Sequence, residues 1–292
     1  MHLIVNPAAA GGRLGRAWPR LHEQLRQLGF DPPLSFTKAP GHATDLAADA
    51  VAKGAEVVVV AGGDGTICEA VQGLHDAGRG VLAILPLGTG NDAARTLRVP
   101  LTLEAAVKTI QAGARRRVDL MKVGDRVVLN AVGIGLLGYI NIKATSMKVV
   151  RGITAYLVAA LGSLTAYRGP RVTLRGDDAA YEGSMLILAV HNGPTTGGGF
   201  RLTPDAVPDD RQLDACLVED IGILGRLPRL AAAMRGTLGE WPGSHNMRFT
   251  RLELLTDERL PAHRDGNAYY VDPPGTTFEA LPAALEVITP KL

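Results

Sequence analysis

The chain has 292 residues, enough for one large domain or two ordinary ones, and 46% of them are hydrophobic. Its 31 basic and 29 acidic residues leave a net charge of +2 with no long basic run, which argues against nucleic acid as a partner. The two cysteines, Cys68 and Cys216, are far apart and lack metal-ligand spacing, so they read as buried thiols of a reducing compartment.

Residues 1–5 run straight into a strand without a charged leader, so no signal peptide is expected. The most apolar long stretch, residues 149–166, contains Arg151 and two glycines, so it is not an unbroken apolar span of about 20 residues and no transmembrane segment is expected. The expectation is a cytoplasmic protein, peripheral at a membrane where its chemistry requires one.

Residues 2–5 form a short apolar strand ending at Asn6-Pro7, and Gly11 and Gly12 follow in a loop. Leu14, Trp18, Leu21, Leu25 and Leu28 recur at three- and four-residue spacing, which predicts a helix closed by Gly29. Residues 34–37 predict a second strand, and the alanine-rich residues 43–52 a second helix. Residues 56–61 and 81–85 read as buried strands, and residues 103–110 as a further helix. Strand and helix alternating in this way predict a parallel sheet flanked by helices.

After about Val118 the rhythm changes. Short strand-like runs at residues 126–132, 171–175, 184–190, 213–219, 247–255 and 277–288 are separated by glycine and proline loops, predicting a mostly antiparallel region. Residues 147–167 and 223–234 read as helical interruptions. The apolar part of the first, residues 153–164, is either a packed core element or a lipid anchor. The second is amphipathic, with Arg226 and Arg229 beside Leu227, Leu230 and Met234. Arg115-Arg116-Arg117 is a solvated face or a contact for anionic headgroups. No histidine pair has zinc-site spacing.

The first buried strand empties into Gly62-Gly63-Asp64-Gly65-Thr66, and a helix follows. Glycines without Cβ atoms free main-chain N–H groups to face an anion, and a helix N-terminus favours negative charge. A bare carboxylate repels phosphate, so Asp64 would reach it through a metal. The loop is neither a Walker A motif nor a dinucleotide fingerprint. The second buried strand ends in Pro86-Leu87-Gly88-Thr89-Gly90-Asn91-Asp92. In a parallel sheet both loops converge on the rim that binds ligands. Asn91 and Asp92 also suit a helix N-cap, and Thr37 a strand-end hydroxyl.

Asn6-Pro7, the two glycine loops and the segment Gly197-Gly198-Gly199-Phe200-Arg201-Leu202-Thr203-Pro204-Asp205-Ala206 together resemble the diacylglycerol kinase catalytic family, a group that includes sphingosine and ceramide kinases. Gly-Gly-Asp-Gly-Thr alone is shared with NAD kinases. The resemblance covers nearly the whole chain. It implies an α/β protein with a doubly wound parallel-sheet nucleotide domain at residues 1–120, rejoined by residues 281–292, and a β-sandwich lipid domain at residues 121–280, with a cleft between the two. It implies ATP and Mg2+ as cofactors and a lipid hydroxyl met at a membrane surface as acceptor. A homodimer is compatible with it.

Site residues follow from the same resemblance. Gly62, Gly63 and Gly65 would approach ATP phosphates and Asp64 would act through Mg2+. Thr66 and Thr89 would offer hydroxyls, while Asn6, Thr37 and Asn91 would line the nucleotide pocket. The segment around Asp210 resembles one that holds a structural metal on one aspartate and backbone carbonyls, here Asp210 with Val207 and Gln212. The family usually has glycine where this chain has Arg211, a cation that could replace the metal by a salt bridge. The alternative is an acidic turn without an ion.

One departure is chemical. Where the family carries Asp-Gly-Glu, this chain has Asp265-Gly266-Asn267, and an amide cannot take a proton as a carboxylate does. Three readings follow: Asp265 serves as base or orienting group with His263 assisting, the transfer needs little base help, or the protein binds nucleotide and lipid as a regulator without efficient turnover. An NAD kinase-like enzyme and a kinase for pigments or other secondary metabolites are the further alternatives.

Overall fold

Val57, Val58, Val59 and Val60 are buried whichever way they point from their strand, the pattern of a parallel strand covered on both faces. The computed structural model describes residues 1–146, 162–177 and 180–291. Two compact units divide the chain, Met1–Val118 with Ala283–Leu292, and Asp119–Pro282. In chain order the elements are β1 (His2–Val5), α1 (Ala9–Gln27), β2 (Leu34–Phe36), α2 (His42–Ala52), β3 (Val57–Gly62), α3 (Asp64–Asp76), β4 (Val81–Pro86), α4 (Asp92–Thr96), α5 (Leu103–Ala112) and β5 (Arg115–Val123). They continue with β6 (Arg126–Val128), β7 (Ala131–Gly135), α6 (Leu136–Ser146), β8 (Arg171–Gly176), β9 (Ala180–His191), β10 (Leu213–Glu219), α7 (Ile223–Arg235), β11 (Ser244–Phe249), β12 (Arg251–Thr256), β13 (Leu260–Arg264), β14 (Asn267–Val271) and β15 (Gly275–Ile288). The expected helix over residues 147–167, with its apolar stretch, falls largely outside the described residues.

In the first unit the strands run parallel in the order β2, β1, β3, β4 and the end of β15. Every residue of β3 and β4 is buried, each valine contributing roughly 1.5 kcal/mol or more by leaving water. Helix α2 packs on β1 and β3, α3 on β3 and β4, and α5 on β4. The sheet order puts β1 between β2 and β3, so the chain reverses direction of travel there. The carboxyl ends of β1 and β3 border the crevice such a reversal creates.

The second unit is antiparallel in every pairing made inside it. Strand β9 serves two layers. Its first part pairs with β8, and its last part lies between β7 and β10. Leu174, Leu188, Leu217, Phe249, Leu252 and Phe278 fill the space between the layers. The single strand expected over residues 247–255 is in fact the end of β11 and most of β12. They break at Thr250, whose N–H and Oγ1 donate to Asp177 at 2.8 and 2.7 Å. The run at residues 126–132 likewise divides into β6 and the start of β7. The hairpin of β13 and β14 was not expected. Arg264 pairs with Asn267, and Asp265 and Gly266 turn with φ of 43° and 86°, the two positive values of the tight turn that favours Asp-Gly.

Candidate active site

Strands β1, β2, β3 and β4 deliver Asn6, Thr37, Gly62 and the loop after Pro86 to one rim of the parallel sheet. Thr37 is buried, and its N–H donates to Val5 O at 2.9 Å. Asn6 Nδ2 donates to Thr66 Oγ1 at 2.8 Å, while Asn6 Oδ1 accepts from Ala8 N at 2.9 Å. The side chain of Asn6 thus holds the Thr66 hydroxyl in place.

The glycines are required by close approach. A Cβ on Gly62 would stand 2.9 Å from Thr66 Cβ, and one on Gly88 only 2.5 Å from Gly63 Cα. Backbone therefore meets backbone where the two loops cross, which no side chain at Gly88 would permit. Thr89 lies half-buried in the second loop. For Asn91, a candidate for the nucleotide pocket or a helix cap, the cap is not made. It adopts φ 54° and makes no cap bond to α4; instead its Oδ1 accepts from Gly88 N at 2.9 Å, bracing the loop from within. The cap of α4 comes from the other loop, where Asp64 Oδ1 accepts from Ala93 N at 2.9 Å.

Asp64 opens α3, and Asp92 opens α4 beside it, only 5% exposed. Burial first, and the neighbouring Asp92 second, push the Asp64 carboxyl up to about 6, against the hydrogen bond from Ala93. Two neighbouring buried carboxyls are a donor set that fits a hard divalent cation. Beside them stands the N-terminus of α3, an end of a helix that favours negative charge.

The second unit gives Asp265 a structural task. It is 5% exposed and its carboxylate accepts three main-chain N–H groups, from Leu129 and Asn130 at 3.2 and 3.3 Å and from Ala131 at 2.7 Å. Its own N–H donates to Ala131 O at 2.9 Å. Its lone pairs thus hold the entry to β7. His263 does not assist it by any hydrogen bond, since both ring nitrogens are buried without a partner and burial pushes its pKa down to about 4. Its ring lies over Gly133, where a Cβ would come within 2.4 Å of Nε2. His191, also fully buried, meets Thr203 Oγ1 through Nδ1 at 2.8 Å, and burial with His263 nearby pushes it down to about 3. Asn267 is exposed on the first position of β14.

The expected structural metal site does not fit a cation. Asp210 Oδ1 accepts from Gln212 N at 3.0 Å and Oδ2 pairs with the guanidinium of Arg248. Val207 is exposed. Arg248, rather than Arg211, supplies the positive charge, and its Nε also reaches Asp214 Oδ1 at 3.5 Å. Arg211 takes φ 68°, the left-handed region that favours glycine, and its N–H donates to Asp119 Oδ2 at 2.6 Å. Among the described residues no group of three His, Cys, Asp or Glu side chains could hold a metal.

An element of the second unit that the sequence did not disclose is a small, almost wholly apolar pocket of about 60 Å³, lined by Leu136, Ile140, Leu164, Phe200, Leu202 and Leu230 among others. Its walls come from α6, α7, β9, β10, the glycine-rich loop before β10 and the single residues Leu164 and Leu238, so spacing along the chain carries no trace of it.

Comparison with known proteins follows these geometries. Residues 1–123 match the diacylglycerol kinase catalytic domain, and residues 130–289 match the YegS C-terminal NAD kinase beta sandwich-like domain. The chain is 33% identical over 271 residues to a "Probable lipid kinase YegS-like" protein of Pseudomonas savastanoi pv. phaseolicola, covering 91% of this chain and 86% of that one. It is 28% identical over 292 residues to a protein named diacylglycerol kinase of Staphylococcus saprophyticus, covering 99% and 94%. A crystal structure described as a diacylglycerol kinase from Bacillus anthracis superposes with a TM-score of 0.72 at 26% identity, over 99% of this chain and 96% of that one. A parallel sheet with crossed glycine loops, followed by an antiparallel region, is an α/β architecture in two units. The chain belongs to the diacylglycerol kinase catalytic-domain family.

Proposed function

We propose that the chain is an ATP-dependent lipid kinase that transfers the γ-phosphoryl group of ATP to a lipid hydroxyl, with diacylglycerol or a sphingoid-like base as acceptor class. The observation that carries this reading is the pairing of Asp64 with Asp92 beside the Gly63–Gly88 crossing. Phosphoryl transfer asks a protein chiefly for positioning and charge neutralisation, and this rim offers both. Bound Mg2+–ATP would supply the phosphoryl group and the positive charge that offsets it. Asp64, with Asp92 behind it, holds the cation. Main-chain N–H groups at Gly62, Gly63 and Gly65 face the phosphates, and Thr66, oriented by Asn6, and Thr89 donate hydroxyls. Thr37 closes the pocket at the end of β2. Asp265 acts as a positioning residue that fixes the backbone at Leu129–Ala131, and no base is assigned to it. The apolar cavity of the second unit takes an acyl or alkyl chain. The site of action is a membrane surface reached from the cytoplasm, consistent with the absence, among the described residues, of any helix long and apolar enough to cross a membrane.

The test is transfer of radiolabel from γ-labelled ATP to a lipid extract dispersed in detergent, resolved by chromatography. Label in a lipid band, absent with Asp64→Asn, supports the proposal; label in NAD, or in no lipid, overturns it. A second reading has its own observation: Asp265 is committed to main-chain N–H groups and Asn267 is an exposed amide. A nucleotide- and lipid-binding regulator would bind Mg2+–ATP without lipid-dependent release of ADP.

A further inference from the structure

Helix α7 presents an apolar face to water. Ile223, Leu224, Leu227 and Met234 are 48%, 89%, 52% and 57% exposed. At the turn of an α-helix they fall, with the exposed Ala231, in one arc of about 100°. The rest of the helix faces inward through the buried Arg226, Ala232 and Ala233. It is anchored firmly, because Arg226 donates to Leu164 O at 2.6 Å, Tyr167 O at 2.8 Å, Ile221 O at 2.9 Å and Asp220 Oδ1 at 2.6 Å. The exposed leucines are thus held outward by a rigid inner side. A single exposed Leu is unremarkable, whereas four large apolar side chains on one face mark an interaction surface.

Charge narrows the occupant. The helix contains no acidic residue. Exposed arginines stand at both of its ends. Arg235 lies in the last turn, and Arg201, whose N–H donates to Ala233 O at 2.9 Å, stands beside it. Arg168 follows Tyr167 at the first turn. Asp220, just ahead of the helix, is paired with Arg226, while Glu240, in the turn that packs on its far end, is the one exposed acid there among the described residues. The same helix also roofs the apolar cavity, which Leu230 and Ala233 help to line. One helix therefore separates an apolar outer face rimmed by arginines from an apolar hollow.

We propose that α7 is an in-plane docking helix for an anionic lipid bilayer. Ile223, Leu224, Leu227 and Met234 enter the acyl boundary, and Arg168, Arg201 and Arg235 meet lipid phosphates. The proposal rests on the lipid-kinase reading in one respect, that the bilayer is where the acceptor is found.

The experiment is co-sedimentation with sucrose-loaded vesicles of phosphatidylglycerol and phosphatidylcholine, compared with phosphatidylcholine alone. The wild-type chain is expected to pellet with the anionic vesicles. Leu224→Glu combined with Leu227→Glu should lower the partition at least about tenfold with an unchanged melting temperature, and Arg235→Glu should lower it on anionic vesicles alone. A wild-type chain that does not pellet, or a double variant that pellets equally, overturns the proposal. So does a wild-type dimer that the double variant converts to monomer without any vesicle binding, since a second copy then covers the face. Kinase assays with short-chain diacylglycerol in detergent separate the two readings. The double variant should match wild type there and fall behind only on vesicles. If neither form phosphorylates detergent-dispersed lipid, the kinase reading fails while vesicle binding stands by itself.

Discussion

Asp64 at the start of α3 accepts a hydrogen bond from the main-chain N–H of Ala93, 2.9 Å away in the first turn of α4. The carboxylate thus ties the two glycine loops together, with further main-chain bonds from Asn91 and from its own residue, and it carries the charge proposed to hold a cation. The two tasks separate by substitution. In Asp64→Asn the amide oxygen keeps the bond to Ala93 and the charge is lost. Folding should be retained, while Mg2+-dependent nucleotide binding by calorimetry and any turnover fall by at least about a hundredfold, the scale of losing one preorganised charge-stabilising group. Unchanged uptake would remove Asp64 from the nucleotide site.

The same carboxyl predicts a pH dependence. Its folded pKa is raised from 3.8 to about 6, so between those values the folded chain holds a proton that the unfolded chain has released. Its ionisation therefore lowers stability as pH rises from about 4 to 6. His191 and His263, pushed down to about 3 and about 4, act in the opposite sense and lower stability as pH falls below 6.5. Both histidines are present in Asp64→Asn, so the difference in melting temperature between wild type and that variant isolates the acid. The difference should grow from pH 4 to 6 without divalent cation, and shrink with Mg2+ and ATP present. A flat difference would mean that folding does not raise the Asp64 carboxyl at all, by burial or by Asp92.

Much of this was legible in the sequence, for physical reasons that also set the limit. Residues 57–60 are four valines in a row, and such a run has to be covered on both faces, which already implies the parallel sheet. The glycines at 62, 63 and 65 announced main-chain groups brought close to an anion, whereas the crossing of Gly88 on Gly63 joins two separate loops and carried no local signal. The Asp265-Gly266 pair carried two messages, and the family motif masked the simpler one, a two-residue hairpin turn. The partner of Asp210 could not be read at all, because Arg248 lies 38 residues away and reaches it only through the pairing of β10 with β11. The apolar pocket was hidden for the same reason, its walls being contributed by several separate stretches of chain.

Asp265 should prove structural. Removing the carboxylate in Asp265→Ala leaves three buried N–H donors without their acceptor, a loss on the order of 3 kcal/mol or more in denaturant unfolding. Asp265→Asn should cost less, since one oxygen survives for Ala131 N. Turnover should fall in step with stability across the two variants. An Asp265→Asn chain with wild-type stability and no turnover would return the residue to the role of base.

Arg248 stands where a metal was expected, and its removal should create a metal dependence. Arg248 lowers the pKa of Asp214, which burial holds up at about 6 with Asp210 and Asp205 adding to the effect. In Arg248→Ala the carboxylates of Asp210 and Asp214 lose their counter-ion. Because the pair is partly exposed, the loss should be modest, roughly 1 kcal/mol. Millimolar Ca2+ or Mg2+ should restore it in the variant and leave the parent unmoved, provided both carry Asp64→Asn to silence the nucleotide site. A parent that melts earlier in chelator would show a metal held without help from the mutation.

The amide at Asn267 permits a test by gain. It opens β14 opposite Arg264, is exposed, and sits on a two-residue hairpin that fixes its position. A longer side chain there meets solvent, so Asn267→Glu should fold normally. A positioned base contributes about 10²–10⁴ in rate. If the chain transfers phosphate without one, the substitution should raise kcat at least about tenfold and add an acidic limb to the pH–rate profile near the ordinary glutamate range. An unchanged kcat and profile would mean that the transfer passes through a transition state loose enough to need no base. Activity in Asn267→Glu alone, with a silent wild type that binds Mg2+–ATP, would make the natural protein a regulator whose catalytic machinery lacks one oxygen acid.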